Sequence, residues 1–422
     1  MADIYLSVDV GSSQTKIIYQ LSGSTHPNYL LLPPTIEEIT KSRLEEFMTR
    51  LGWIGSPSPE QQLWIEWNQR VVVLGEFASS FDPLDRIQEL KYENALWKVL
   101  AAVGLIVELN QLNASSKKLL KLELAILLPC NEYSDRRRFE EQLAVMLANF
   151  KVRKRVLKVK LIRCLCRPEG GGLAAVRIRQ QGIDWLRQQQ LGVLMFGHRN
   201  TTALYFDRGQ LKLGDSPLLG FSNMLDIVVK MTSGLDRDLL AKAIFNARYS
   251  MINKIDDSEV SYTVRPDWKT FKAIQTLASA KDPNLREKEI LDIDHAINIA
   301  TAEYWNKLKR WMDQILPTSL SEVIIGGGAA YYVQIELEKY FNCEWELKPK
   351  FEYSTQKIRT GKYIRKDPYS PFTPIVWSSD SLSLIEQTFN LDKHQSLLES
   401  TSARLMDCFG LFDYLVGLEA AE

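Results

Sequence analysis

The sequence carries no excess of charge of either sign: 52 Lys and Arg stand against 52 Asp and Glu, a formal net charge of zero. A chain without cationic excess is a poor candidate for direct nucleic-acid binding, because that affinity comes largely from neutralising phosphates. The same neutrality removes long-range repulsion between copies and permits self-association. Five cysteines, at 130, 164, 166, 343 and 408, include no C-x-x-C pair. That excludes a disulfide framework and reads as reduced thiols in a cytosolic protein; C-x-C at 164 and 166 is poor ground for zinc, and none is expected. Long apolar runs are missing too. The most apolar stretch, residues 96–109, is interrupted by Lys98 and falls short of the roughly 20 residues of a membrane span, so a buried helix is expected there. The start, Met1-Ala2-Asp3-Ile4, has neither a basic region nor an apolar leader. Neither G-x-x-x-x-G-K-[ST] nor G-x-G-x-x-G occurs, which excludes the P-loop and the Rossmann fingerprint.

What is present is a globular composition, 45% hydrophobic and 25% charged over 422 residues, long enough for two or three domains or two large lobes. Strands are expected at 4–8, 16–19 and 29–32 as an antiparallel meander, and at 64–67 and 71–74 as a hairpin. Helices are expected over 93–110 and 135–148, with a strand at 124–128 between them. Further strands are expected at 191–196, 203–206 and 323–325, and helices at 221–231, 236–247, 287–315 and 400–416. The alternation of strands and helices makes the class α/β. Residues 151–163 (KVRKRVLKVKLIR) alternate cations with Val and Leu. An anionic-ligand patch and a strand with one solvated face both fit; the strand is the expectation. Phe351, Tyr353, Tyr363, Tyr369, Phe372 and Trp377 fit either a subunit interface or anchors for irregular loops.

An internal echo stands out. Residues 9–19 (DVGSSQTKIIY) align with 195–205 (MFGHRNTTALY) at a constant offset: Gly11 falls on Gly197, Thr15 on Thr201 and Tyr19 on Tyr205. Each segment reads strand, tight polar turn, strand, as two related halves would. Turns rich in Gly and Ser present successive backbone N–H groups that attract phosphate oxygens. The first adds Lys16, a point charge for phosphate, and Asp9, whose carboxylate suits hydrated Mg²⁺. An ordinary hairpin turn has the same ingredients. A third glycine element, Gly326-Gly327-Gly328-Ala329, follows an apolar strand and suits either close approach to a ligand or a tight strand-to-helix turn.

Taken in order, these segments resemble the actin-like ATPases, and most of all the bacterial plasmid-segregation actins of the ParM/StbA type. The resemblance rests on residues 9–16, on Leu127-Leu128-Pro129-Cys130-Asn131-Glu132-Tyr133, on Pro168-Glu169-Gly170-Gly171-Gly172-Leu173-Ala174-Ala175, on residues 195–202, and on Ile324-Ile325-Gly326-Gly327-Gly328-Ala329. Residues 73–78 and 92–96 add to it, and it spans about residues 3–415. It implies two lobes of ribonuclease-H-like fold with a nucleotide cleft between them, the first from 1–181 plus 396–422 and the second from 182–395. It implies ATP, or GTP, with Mg²⁺. Gly11, Ser12, Ser13, Gln14, Thr15 and Lys16 would hold phosphates. Gly197, His198, Arg199, Asn200, Thr201 and Thr202 would form the second phosphate turn. Gly326, Gly327, Gly328 and Ala329 would pack against the adenosine. Asp9 would hold Mg²⁺ through water, and Glu169 would orient the attacking water, a positioning role suited to phosphoryl transfer.

Two departures qualify that expectation. Where the family begins its second phosphate turn with an Asp, this chain has Met195, and Thr202 replaces the Asp that usually ends it. Nucleotide binding is therefore better supported than fast ATP hydrolysis. A solvent-facing Arg199 is expected over one on a phosphate, and His198 is expected to be a plain loop histidine. The function implied is a cytoplasmic filament-forming cytoskeletal protein, acting in plasmid segregation or cell shape. It would work through a DNA-binding or membrane-associated adaptor rather than by direct nucleic-acid contact. The alternatives are a non-polymerising ATP-binding regulator and a small-molecule kinase of the same superfold, for which no catalytic Asp stands out.

Overall fold

The structure is a computed structural model. It describes residues 2–50, 57–84, 89–112, 119–232, 234–253, 267–341, 345–349, 361–365, 373–391 and 396–421. The chain divides into two compact units, Met1–Leu186 with Gly214–Ser216 and Trp377–Glu422, and Arg187–Leu213 with Pro217–Val376. The sequence placed the cuts at 181/182 and 395/396.

In the first unit the strands are β1 (Ile4–Val10), β2 (Thr15–Leu21), β3 (Asn28–Leu32), β4 (Ile36–Ile39), β5 (Trp64–Trp67), β6 (Arg70–Leu74), β7 (Leu120–Leu128), β8 (Phe150–Val152), β9 (Arg155–Leu157) and β10 (Val159–Pro168). Its helices begin with α1 (Lys41–Arg50), α2 (Lys91–Leu109), α3 (Arg136–Ala148), α4 (Gly171–Gln181) and α5 (Ile183–Leu186). The second unit has β11 (Gln190–Phe196), β12 (Thr201–Asp207), β13 (Gln210–Asp215), β14 (Glu322–Gly326), β15 (Trp345–Pro349), β16 (Gly361–Arg365) and β17 (Ile375–Trp377). Its helices are α6 (Phe221–Met231), α7 (Arg237–Asn253), α8 (Lys272–Gln275), α9 (Pro283–Ile315) and α10 (Gln334–Tyr340). The chain then returns to the first unit with α11 (Leu382–Phe389) and α12 (Ser396–Ala421). Phe389 of α11 meets Tyr29 of β3 and Phe409 of α12 edge-on, at 5.2 and 6.3 Å, which keeps α11 with the first unit.

The main sheet of the first unit runs β10-β7-β1-β2-β3, and that of the second runs β13-β12-β11-β14-β17. Read from opposite edges these are one strand order. In each, an antiparallel hairpin (β1–β2, β11–β12) leads to a third strand, and the first strand of the hairpin pairs in parallel on its other side, β1 with β7 and β11 with β14. The echo read in the sequence also holds in register: Val10 faces Thr15 as Phe196 faces Thr201, and Asp9 faces Lys16 as Met195 faces Thr202.

β7 shows how the first sheet is filled. Leu122, Leu124, Ile126 and Leu128 join β1 and α2 in the large core, while Ala125 and Leu127 meet Leu411 and Leu415 of α12 on the opposite face. A central strand covered on both faces is apolar at every second residue of both parities, which is why it reads as a continuous apolar run. The run 96–109 is, as expected, a buried helix inside α2. A second sheet, β4-β6-β5-β8-β9, packs against α1 through Phe47, Phe77 and Phe81. Among the described residues no helix is long and apolar enough to cross a membrane.

Three expectations change. Residues 151–163 are not one strand: β8 and β9 form a hairpin that turns at Arg153 (φ 53°), and β10 follows. Of their seven cations, three are ion-paired, Lys151 with Glu66, Arg153 with Glu108 and Arg163 with Glu123. The long helix begins at Pro283 rather than 287, because Asp282 accepts the N–H groups of Asn284 and Leu285 and Pro283 suits the first helical position. A 3₁₀ turn, Ala330–Val333, separates the glycines at 326–328 from α10. Of the six aromatics singled out, Phe351, Tyr353, Tyr369 and Phe372 lie outside the described residues, and Tyr363 lies on β16.

α4 and α12 cross where both have glycine. A Cβ on Gly172 would lie 1.8 Å from the Asp407 carbonyl oxygen, and one on Gly410 would lie 2.0 Å from that of Gly172. Gly410→Ala is therefore expected to destabilise the protein by about 3 kcal/mol through overpacking, against about 1 kcal/mol of helix propensity regained. Gly417→Ala in the same helix, where the added methyl meets nothing within 4 Å, is the matched control and should stabilise. Urea unfolding of both variants checks this; equal effects would mean that the crossing is not tight.

Candidate functional site

The first turn closes the β1–β2 hairpin at residues 11–14. β1 sends Ile4, Leu6, Val8 and Val10 into the core beneath α2, which leaves Tyr5, Ser7 and Asp9 on the other face. α12 covers part of that face: Ser7 Oγ donates to the Cys408 carbonyl at 2.9 Å, and Cys408 Sγ approaches Ser7 Oγ at 3.4 Å and the Lys16 carbonyl at 3.7 Å. Asp9 and Lys16, directly opposed across the hairpin, form a buried ion pair at 2.6 Å. Burial works against the Lys16 charge, but the attraction and hydrogen bond of Asp9 outweigh it and hold the ammonium above its ordinary range. Breaking such a pair from one side costs about 3–5 kcal/mol, so the two residues are structural partners whatever else they do. Next to them, Thr15 Oγ1 is buried with no hydrogen-bond partner among the described residues. Gln14 Oε1 accepts from Arg404 of α12 at 3.4 Å.

Glu169 follows β10 directly and is buried. Its backbone N–H donates to the Leu128 carbonyl at 2.9 Å, and its carboxylate is ion-paired with Lys91 at the start of α2. Asp9, Lys16 and Glu169 thus gather at one end of the first sheet, as the sequence implied, and Lys16 feels the charge of Glu169.

Four residues of this neighbourhood were not singled out for the site in the sequence. Lys91 is one. Glu132 is the second: its carboxylate accepts the Tyr92 N–H at 2.9 Å and caps α2. The third is Lys98, buried on α2, whose ammonium is pushed down to about 7 by burial and next by the charge of Lys91. The fourth is Asp407 of α12. It accepts the backbone N–H of Gly170 at 2.8 Å, of Gly172 at 2.8 Å and of Leu173 at 3.1 Å, capping α4 from 234–237 residues away. The backbone N–H groups of Gly170, Gly172 and Leu173 at the start of α4 are thereby satisfied internally. The sequence signal was a Lys in the apolar run of α2, while Asp407 is one of several ionisable residues along α12.

In the second unit, residues 197–202 and 326–329 come together at one end of the sheet, since Met195 pairs with Gly326 and the Ala329 N–H donates to the Phe196 carbonyl at 3.2 Å. Gly327 has φ 90°, and a Cβ there would lie 2.2 Å from the Phe196 oxygen, so only glycine fits. The turn is pinned to the start of α6: Gly220, Phe221 and Ser222 N–H groups donate to the carbonyls of Arg199, Gly197 and His198 at 2.9, 3.0 and 2.9 Å. That pinning draws Arg199 inside. It is 7% exposed, so the expectation of a solvent-facing arginine is wrong. Asn200, Thr201 and Thr202 are buried, and His198 is half-buried near Phe221. Phe221 stacks on Tyr332 at 4.2 Å. The pair Met195 and Thr202 stands where the first hairpin has Asp9 and Lys16, so this turn carries neither charge.

No protein-family model matches the chain, and no protein with a curated description matches it. Solved structures do. A ParM of Bacillus thuringiensis with ADP is 12% identical over 99% of this chain and 99% of its own, at a TM-score of 0.50. An archaeal actin homolog, Ta0583, is 13% identical over 98% of each chain at a TM-score of 0.49. A structure of the Alp12 filament is 11% identical over 99% of this chain and 100% of its own, at 0.48. At such identities the likeness speaks for the fold: the protein has an actin-like fold.

Burial raises the Asp407 carboxyl to about 7, against the backbone hydrogen bonds of Gly170 and Leu173 and with the charges of Asp9 and Glu169 adding to the rise. A carboxyl whose folded value lies above its unfolded value of 3.8 contributes stability that is complete below that value and is lost as pH rises through about 7. Asp407→Asn lacks that titration and sets an amide N–H₂ against a backbone donor, at a cost of about 1–3 kcal/mol. The gap in Tm between the native chain and Asp407→Asn should therefore narrow from about pH 5 to about pH 8. A gap that widens over that range contradicts the assignment.

Proposed function

We propose that the protein is a nucleotide-binding, self-assembling actin-like protein with slow hydrolysis. The observation that carries this reading is the gathering of Asp9, Lys16, Lys91 and Glu169 beside the Gly-Ser turn at the end of the β1–β2 hairpin. In the proposal the phosphates of ATP, or GTP, lie on Gly11, Ser12, Ser13, Gln14, Thr15 and Lys16. Residues 197–202 are the second unit's phosphate turn, and Gly326, Gly327, Gly328 and Ala329 meet the nucleoside. The ParM of like fold was solved with ADP, and the proposal carries that chemistry over.

The donor set suits Mg²⁺ bound mainly by phosphate oxygens and water. Asp9 offers one hard carboxylate at the turn, and among the described residues no group of three or more His, Cys, Asp or Glu could hold a metal ion by itself. Asp9 would hold the ion through water, and the ion would neutralise developing charge on the phosphates. Glu169 would orient the attacking water. Met195 and Thr202 leave the second turn without the charged pair of the first, which supports slow turnover.

Zero net charge and the actin-like fold support assembly through head-to-tail contacts that do not close, in a cytoplasmic filament. Nucleotide state would set subunit affinity by linkage. Work in plasmid segregation or cell shape would pass through an adaptor. A second reading, an ATP-binding regulator that does not polymerise, draws on the same Met195.

Light scattering with negative-stain microscopy, with and without Mg²⁺-ATP and alongside phosphate release, tests the proposal. Nucleotide-dependent filaments are expected, and Glu169→Gln should keep them while slowing phosphate release by about 10²-fold or more. Nucleotide binding by a chain that stays monomeric at micromolar concentration favours the regulator.

A further inference from the structure

The first unit places three lysines, the buried Lys16 and Lys98 and the half-buried Lys91, around two site carboxylates. Lys16 is matched to Asp9 and Lys91 to Glu169. Lys98 makes no hydrogen bond or ion pair with the described residues, although it is only 6% exposed. It stands two turns after Lys91 on α2, so both ammonium groups project from one face of that helix, and α2 packs on β1. A buried cation without a partner costs the fold stability. The charge of Asp9 offsets only part of that cost, since the ammonium is still pushed down to about 7, and an anionic ligand would offset more.

We propose that Lys91 and Lys98 are binding residues for the terminal phosphate of a nucleoside triphosphate, and that Lys91 restrains Glu169 until that phosphate arrives. The inference rests on the nucleotide reading above and goes beyond it by assigning the two lysines and a sequence of events. Without ligand, the Lys91 ammonium occupies the carboxylate that would orient water. A γ-phosphate brings more negative charge than one carboxylate and draws Lys91 away, so Glu169 turns to water only when there is a bond to hydrolyse. A diphosphate lacks that group and leaves the Lys91–Glu169 pair closed. Lys98 lies close enough to Lys91, Asp9 and Lys16 to feel the charge of each.

The test is calorimetric titration of the full chain with Mg²⁺-ATP and with Mg²⁺-ADP, in the native protein and in Lys91→Met, Lys91→Arg and Lys98→Met. Loss of one charge-assisted phosphate contact should weaken ATP about tenfold or more in each Met variant, with ADP within about twofold. Lys91→Arg should recover most of the ATP affinity. Thermal unfolding without nucleotide supplies a second readout: Lys98→Met should raise Tm, because it removes an unpaired buried charge. Equal losses for ATP and ADP, no loss for either, or a lowered Tm in Lys98→Met with ATP affinity intact would overturn the assignment of the lysines. If the native protein binds neither nucleotide, the nucleotide reading fails and this inference fails with it.

Discussion

Charge buried at the end of the first sheet is the constraint around which the first unit is built. Asp9, Lys16, Lys98 and Glu169 are buried within one neighbourhood, Lys91 is half-buried beside them, and Asp407 lies just behind. A low-dielectric interior tolerates such groups only when they are matched or hydrogen-bonded. The unit answers with two ion pairs, with three backbone N–H groups on Asp407 and with α12 laid across β1 and β2. α12 reaches the first hairpin through Cys408 and Arg404, and the Glu169 loop through Asp407, within about one helical turn of sequence. The glycine crossing with α4 lets it come that close.

The two units share a strand order but spend it differently. Where the first hairpin opposes Asp to Lys, the second opposes Met to Thr, and its turn carbonyls are taken up by the start of α6. One unit concentrates ionic groups and the other concentrates backbone and hydroxyl groups. Under the proposed function, that asymmetry would place most of the grip on phosphate in the first unit and slow turnover.

The sequence made much of this legible because its signals are local. Alternation and continuous apolar runs located β1, β2, β7, β11 and β14, and the constant offset between 9–19 and 195–205 announced the repeated hairpin that the register bears out. The misses have physical reasons. Val and Leu continue through 151–163, and the turn that divides β8 from β9 falls on Arg153 in a left-handed conformation, with no glycine or asparagine to announce it. Arg199 looked solvent-facing because its burial depends on α6, which pins the turn from outside it. Asp407 caps a helix more than two hundred residues away, a pairing that no spacing rule reaches. Lys98 was visible as an interruption in an apolar run, yet its nearness to Lys91, Asp9 and Lys16 exists only once α2 lies on β1.

The central claim is that this buried charge is arranged for the phosphates of a nucleotide. The most direct measurement is a crystal structure of the full chain with Mg²⁺ and a non-hydrolysable ATP analogue. The account predicts β- and γ-phosphates against residues 11–16, with Lys91 moved from Glu169 onto the γ-phosphate. Phosphates bound away from that turn, or a nucleotide in place with the Lys91–Glu169 pair still closed, would contradict it.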